Sequence, residues 1–188
     1  MVQFKQIEVC REFAKIEKSQ FEERKMNMKL LTFVIITLVI YMPFHLFEEA
    51  LGNFPKWMYE HKWLPYHMTY GHWMSNNIFI YYPMLLFAAF IFIIGGDNCT
   101  CFGIGIIMWG FINFGDHFFY TIKDKKLTAG LLTGTLFLVN SIFGIRCFLS
   151  SELFSIPQIV LGILIGGILF GLPIGLCVAI YKLFRRFD

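Results

Sequence analysis

Residues 30–49 have the sequence LLTFVIITLVIYMPFHLFEE, an apolar run that ends in one imidazole and two carboxylates. A helix needs about 20 apolar residues to cross the hydrocarbon core of a bilayer. On such a helix Glu48 and Glu49 follow His45 by three and four residues, so the three side chains share one face. Ionisable groups at membrane depth usually face a bundle interior or a water-filled cavity. This stretch therefore predicts a membrane helix with a functional site at its end.

The composition of the whole chain agrees with this interpretation. Of the 188 residues, 57% are hydrophobic and only 15% are charged, and the mean hydropathy is +0.62. These values lie outside the usual range of soluble domains. The net charge of +3 is modest, with basic residues at the ends and in loops, and this pattern excludes a nucleic-acid-binding protein.

Five apolar runs are long enough to span a bilayer. They lie near residues 30–51, 73–94, 100–122, 128–149 and 157–183. The pattern predicts an all-α fold, a polytopic membrane helix bundle of about five transmembrane helices. Because the length is near that of one ordinary domain, we expect residues 30–188 to form a single transmembrane domain.

The N-terminal segment, residues 1–29, has a different pattern. Charged residues alternate there with apolar residues at a rough helical spacing, which predicts an amphipathic helix on the membrane surface. A partner-binding helix and a partly disordered tail are the alternatives. Seven lysines and arginines in this segment favour a cytoplasmic N-terminus.

The last apolar run is rich in glycine at mostly four-residue spacing. Small residues at this spacing let helix backbones approach closely. The residues are Gly162, Gly166, Gly167, Gly171 and Gly175. We therefore predict a packing role for this helix, with homo-oligomer formation through it as one expected consequence.

Polar residues occur at the ends of three of the predicted spans. Because successive spans run in opposite directions, the end of the first, the start of the second and the end of the third should meet on one side of the membrane. All five histidines of the chain would lie at this end. The residues brought together are His45, Glu48, Glu49, Asn77, Asn113, Asp116 and His117.

Two motifs among these residues have the spacing of metal-binding helices. Glu48 and Glu49 follow His45 by three and four residues, and Asp116 and His117 follow Asn113 by the same distances. Helical bundles that bind metals use Glu/His pairs of this kind on facing helices. Imidazole with carboxylate suits zinc best, and also iron or manganese. We predict a divalent metal held by His45, Glu48, Asp116 and His117, with Glu49 as general base and Asn113 and Asn77 orienting the substrate.

Several functions are compatible with such a cluster. A metal-dependent hydrolase acting near one interface on a lipid, an acylated molecule or a membrane peptide is the main hypothesis. A di-metal redox membrane enzyme is a variant of it. The alternative is a non-enzymatic transporter or accessory membrane protein, in which the same residues form a metal-free polar network or a proton route.

The motifs resemble those of the HXXEE family of small bacterial membrane proteins. The resemblance rests on residues 45–49, on Phe54-Pro55-Lys56-Trp57, on Asn77, on Asn113 with His117, and on residues 126–133. Many members have Pro-Gly where this chain has Ala129-Gly130, so the last motif departs from the pattern. The resemblance covers roughly residues 40–145. It implies a multi-span helical protein in a bacterial membrane and assigns no reaction.

Overall fold

A computed structural model describes the backbone of residues 2–150 and 155–184, which is helical and contains no strand in these ranges. The predicted all-α membrane fold is therefore confirmed. The α-helices are α1 (Val2–Val39), α2 (Leu46–Leu51), α3 (Phe54–Glu60), α4 (Tyr70–Asn76), α5 (Tyr82–Gly95), α6 (Thr100–Asp124), α7 (Leu131–Leu149) and α8 (Ile156–Phe184). Three further helical segments join some of these helices directly. The π-helical segment Ile40–His45 joins α1 to α2, the π-helical segment Asn77–Tyr81 joins α4 to α5, and the short 3₁₀ turn Gly96–Cys99 joins α5 to α6.

The N-terminal segment forms a helix that continues without a break into the first span. Helix α1 runs from Val2 to Val39, and the π-helical segment Ile40–His45 and α2 extend it to Leu51. Most side chains of residues 1–27 lie outside the described part of the chain. The amphipathic character of this segment therefore stays a prediction.

Both π-helical segments lie close to a proline. Pro43 is inside the first segment, and Pro83 follows the second by two residues. Proline has no backbone N–H, and its ring clashes with the carbonyl four residues earlier. A wider turn accommodates this clash and rotates the side chains that follow it. The two segments therefore change the direction of the helix face where His45 and Asn77 occur.

Four helical stretches among the described residues are long and apolar enough to cross a membrane: Met28–Leu51, Tyr70–Asp124, Leu131–Leu149 and Ile156–Leu183. The second has 55 residues and contains two of the five predicted spans. It turns at Gly96, where φ is +53°. Its two arms run antiparallel, since Phe92 lies against Gly103 near the turn and the hydroxyl of Tyr81 accepts from Nε1 of Trp109 further away from it.

Helix α6 is the centre of the bundle and packs against α1, α5, α7 and α8. Its side chains Ile104, Ile106, Ile107 and Trp109 are fully buried. Large apolar side chains also cover the outside of the bundle, for example Phe87, which is 64% exposed. An apolar exterior around an apolar core is what a bilayer requires.

Two glycines of α8 allow it to approach α6 closely. A Cβ at Gly166 would lie 2.9 Å from the carbonyl oxygen of Gly105, and a Cβ at Gly162 would overlap the side chain of Ile104. In contrast, a Cβ at Gly167, Gly171 or Gly175 would meet nothing within 4 Å in the described chain. The predicted packing role thus applies within the chain, and contact with a second copy stays a prediction.

We expect Gly166→Ala to destabilise the bundle while Gly167→Ala does not. The added methyl group clashes with α6 only in the first variant, and overpacking of this kind costs about 1–3 kcal/mol. Thermal unfolding in detergent measures the difference between the two variants. Equal melting temperatures would contradict the close α6–α8 contact.

Candidate metal centre

Three buried polar side chains meet where the first span and α6 end on the same side of the bundle. Oε1 of Glu49 lies 3.5 Å from Nε2 of His45 and 3.6 Å from Nε2 of His117. The two imidazole rings are 5.2 Å apart between centroids, at an angle of 76°. The exposed fractions of His45, Glu49 and His117 are 0%, 5% and 1%. These distances are too long for hydrogen bonds.

The spacing of these three side chains suits a metal ion. One ligand atom from each lies within 4.8 Å of those from the others. Ligand atoms bound to a tetrahedral zinc ion at about 2.0–2.1 Å are roughly 3.4 Å from one another. The two distances from Glu49 are close to this value. The group His45, Glu49 and His117 can therefore supply three ligands without a large rearrangement.

A hydrogen-bond chain determines which nitrogen of His45 carries the proton. The hydroxyl of Thr133 donates to Oε2 of Glu48 over 2.6 Å and lies 2.7 Å from Nδ1 of His45. Since its one proton is given to the carboxylate, the hydroxyl accepts from Nδ1–H. In a neutral imidazole this leaves a lone pair on Nε2, which faces Glu49. Metal-binding histidines are usually oriented in this way by a bond to the other nitrogen.

Two buried imidazole nitrogens have no hydrogen-bond partner in the described part of the chain. They are Nε2 of His45 and Nδ1 of His117. Buried polar atoms are nearly always paired, and an unpaired one is destabilising unless an ion or a water molecule binds to it. The unpaired Nε2 of His45 therefore fits a metal-binding role.

Glu48 has a separate role at the start of α7. Its Oε1 accepts from the backbone N–H groups of Gly130 and Leu132, both at 3.0 Å, and its Oε2 accepts from the N–H of Thr133 at 2.8 Å. The first N–H groups of a helix have no partner within the helix and attract negative charge. Glu48 thus joins the end of the first span to the start of α7.

Gly130 allows the start of α7 to lie against both histidines. Its φ of +95° is a conformation that glycine adopts readily. A Cβ at this position would lie 2.5 Å from Cε1 of His117 and 2.9 Å from Cε1 of His45. Any larger residue would displace the imidazole rings.

A partly enclosed cavity of about 60 Å³ adjoins the three side chains. This volume is the space open to the centre of a water-sized sphere, and one water molecule requires roughly 10–15 Å³ of it. Several water molecules or a small polar group therefore fit. Asn113 and Asp116 line it together with aromatic side chains of the bundle. Oδ1 of Asn113 is buried and has no partner in the described part of the chain.

The predicted site residues have different positions in the structure. His45 and His117, predicted as ligands, meet Glu49, which was predicted as the base. Glu48, also predicted as a ligand, caps α7. Asn77 donates from Nδ2 to the carbonyl of Trp73 and accepts from the hydroxyl of Tyr41, so its amide positions helices. Asp116, Asn113 and Asn77 line the cavity.

Three further residues contact the site in ways that the sequence motifs do not indicate: Tyr41, Thr133 and Phe137. The ring of Phe137 lies edge-on to His45 with 5.1 Å between centroids, and Tyr41 lies 6.0 Å from His45. Helical spacing could have indicated two of them, because Tyr41 precedes His45 by four residues and Phe137 follows Thr133 by four.

The other three histidines lie outside the cluster. Nε2 of His61 is 2.7 Å from Oδ2 of Asp124, and its ring stacks on Trp57. His67 and His72 are exposed. His61 and His67 lie in the aromatic segment between α2 and α4, and His72 lies in α4, so all three provide natural controls for the buried pair.

We expect Glu48→Gln to destabilise the protein by about 2–3 kcal/mol, because charge-assisted hydrogen bonds to several donors weaken together. Glu60→Gln is the matched control, since Glu60 is exposed and, among the described residues, forms an ion pair only with Lys56. Chemical unfolding in detergent measures both variants. Equal stability of the two would contradict the cap.

A family model described as "Protein of unknown function with HXXEE motif" matches residues 35–144. The matched residues are more than half of the chain and include the buried histidines, both glutamates and Gly130. No curated protein and no solved structure matches the chain. The protein belongs to the HXXEE family.

Proposed function

We propose that this protein is a metal-dependent membrane enzyme, a hydrolase that acts on a lipid-linked substrate near one interface. One observation carries the proposal: two imidazole nitrogens and a carboxylate oxygen converge in a buried place at ligand spacing. With His45 protonated at Nδ1, acceptor atoms face one another there. Such atoms repel unless a metal ion or a proton lies between them, and a metal ion is the proposed occupant.

The proposed ligands are His45, Glu49 and His117, and zinc suits this set best. Three protein ligands leave one coordination position open, as in catalytic zinc sites. A bound ion would supply Lewis-acid polarisation and lower the pKa of a coordinated water molecule. Iron or manganese remains a chemically reasonable occupant of the same ligands.

Asp116 and Asn113 are the proposed partners of the substrate. In hydrolysis of an ester or amide, water adds to the carbonyl carbon, and the bond to the leaving oxygen or nitrogen breaks. Asp116, which lines the cavity, would take the proton from water and return it to the leaving group. Asn113 would orient the carbonyl group through its buried amide. Glu49, first considered as the base, is placed among the ligands in this proposal.

Polar residues deeper in the bundle support an enzyme over an ion route. Asn140 donates to the carbonyl of Phe33 and to the hydroxyl of Thr37, and Ser141 donates to the carbonyl of Ile107. Residues that satisfy each other in this way join helices. These hydrogen bonds involve no carboxylate, the group that commonly marks a proton or ion route.

The protein has the features of an integral membrane protein, and its basic N-terminal segment bears on its orientation. The four membrane-spanning stretches support a membrane protein. We propose the cytoplasmic membrane of a bacterium, with the N-terminus in the cytoplasm. The seven basic residues of residues 1–29 support this orientation through the positive-inside rule.

We expect the purified protein to contain close to one transition-metal ion per chain, measured by elemental mass spectrometry. His45→Ala and His117→Ala should each remove most of it, because each deletes one of three ligands. His67→Ala is the matched control and should retain the metal, since His67 is exposed and outside the cluster.

Circular dichroism and gel filtration of the same samples separate loss of metal from loss of fold. A folded wild-type protein without metal, also after incubation with zinc, iron or manganese salts, would refute the proposal. Retention of metal in both histidine variants would refute the ligand set.

We also expect Gly130→Ala to weaken metal binding by an order of magnitude or more, because its methyl group would meet both imidazole rings. Gly134→Ala is the control on the same helix, where a Cβ would find ordinary contacts at 3.5 Å or more. Competition with a metal-sensitive fluorescent chelator measures both affinities. Equal affinities would contradict the close approach of Gly130 to the metal ligands.

A further inference from the structure

An apolar groove runs along the outside of the bundle, with α8 on one side and α4, the π-helical segment Asn77–Tyr81 and α5 on the other. It consists of two adjoining depressions of about 370 Å³ and about 470 Å³. Phe79 and Ile80 line both of them, so the depressions are continuous. Helix α8 packs mainly on α6, and this leaves its side towards α5 open.

The groove adjoins the cavity at the candidate metal centre. Met68, Asn76 and Cys177 line both the cavity and the first depression. The buried histidines therefore lie next to the groove, which follows the lipid-facing side of the bundle away from these three residues. The walls become more apolar along it, from His72 and Ser75 at the start to Phe87 and Ile168 at the far end.

The junction between cavity and groove contains an unpaired polar group. Oδ1 of Asn76 is buried and has no hydrogen-bond partner in the described part of the chain. A polar group next to an apolar groove fits an amphipathic ligand, whose hydroxyl or amide would bind to Asn76 and whose hydrocarbon chain would lie in the groove.

We propose that the groove binds one acyl chain of a membrane lipid and so presents the bond next to its headgroup to the candidate metal centre. The inference rests in part on the proposed function, because it names the substrate class of the same site. Eleven residues separate Asn76 from Phe87, which corresponds to about 16 Å of helix. One leaflet of the hydrocarbon core is about 15 Å thick. The groove thus has the length of one acyl chain in one leaflet.

The test uses the full-length protein in phosphatidylcholine vesicles that contain a phosphatidylglycerol, whose headgroup has hydroxyl donors, with a photoreactive diazirine in one acyl chain. Two probes are compared, one with the diazirine near the carbonyl and one with it near the chain end. Mass spectrometry of peptides then locates the labelled residues. We expect the first probe to label Met68, Asn76 and Cys177, and the second to label Phe87 and Ile168.

The lipid-facing side of α7 is the internal control. Ile142 and Phe143 are 52% and 57% exposed and lie outside the groove, so they report ordinary contact with bulk lipid. Labelling in the groove should exceed labelling at these two residues several-fold. Ile80→Trp, which fills the groove, should lower groove labelling several-fold, whereas Ile142→Trp should leave it unchanged.

Two results would overturn the proposal. One is labelling spread evenly over all lipid-facing residues, and the other is a groove protected from label because a second copy or another helix covers it. Metal content measured on the same samples distinguishes the two hypotheses. Metal without groove labelling refutes the acyl-chain site alone, and groove labelling without metal refutes the metal enzyme alone.

Discussion

The carboxylate of Glu48 at the start of α7 is the contact on which the candidate site depends. It accepts three backbone N–H groups and the hydroxyl of Thr133, and so joins the end of the first span to a helix more than 80 residues later in the chain. A half-buried charge at the end of a membrane span is stabilised by several donors of this kind. The same contact holds Thr133 at Nδ1 of His45 and Gly130 against both imidazole rings.

This contact gives the two adjacent glutamates of the motif different roles. Neighbouring residues on a helix point about 100° apart. When Glu48 faces α7, Glu49 must therefore face elsewhere, and it lies between His45 and His117. The π-helical segment around Pro43 ends at His45 and contributes to this rotation. A motif of one histidine and two glutamates can thus supply both a metal ligand and the anchor that positions its partner.

The surroundings of the site combine a polar and an apolar environment. The three proposed ligands are buried beside a small cavity with polar groups, while the groove that adjoins this cavity has mostly apolar walls. An enzyme for a lipid-linked substrate needs this combination, because the reacting bond must meet water and charge while the chain stays in hydrocarbon. Asn76 lies where the two environments meet.

Sequence alone determined the all-α membrane fold, because runs of about 20 apolar residues have few stable alternatives in a bilayer. It also indicated that His45 and His117 lie at one end of the bundle, since successive spans alternate in direction. It could not choose between Glu48 and Glu49, because spacings of three and four residues are both compatible with a shared helix face. Only the tertiary structure decided this, since the position of α7 determines which carboxylate caps it and which one meets the histidines. Likewise, the apolar groove beside Asn76 depends on how α8 packs against α6, and this packing is made by residues that are far apart in sequence.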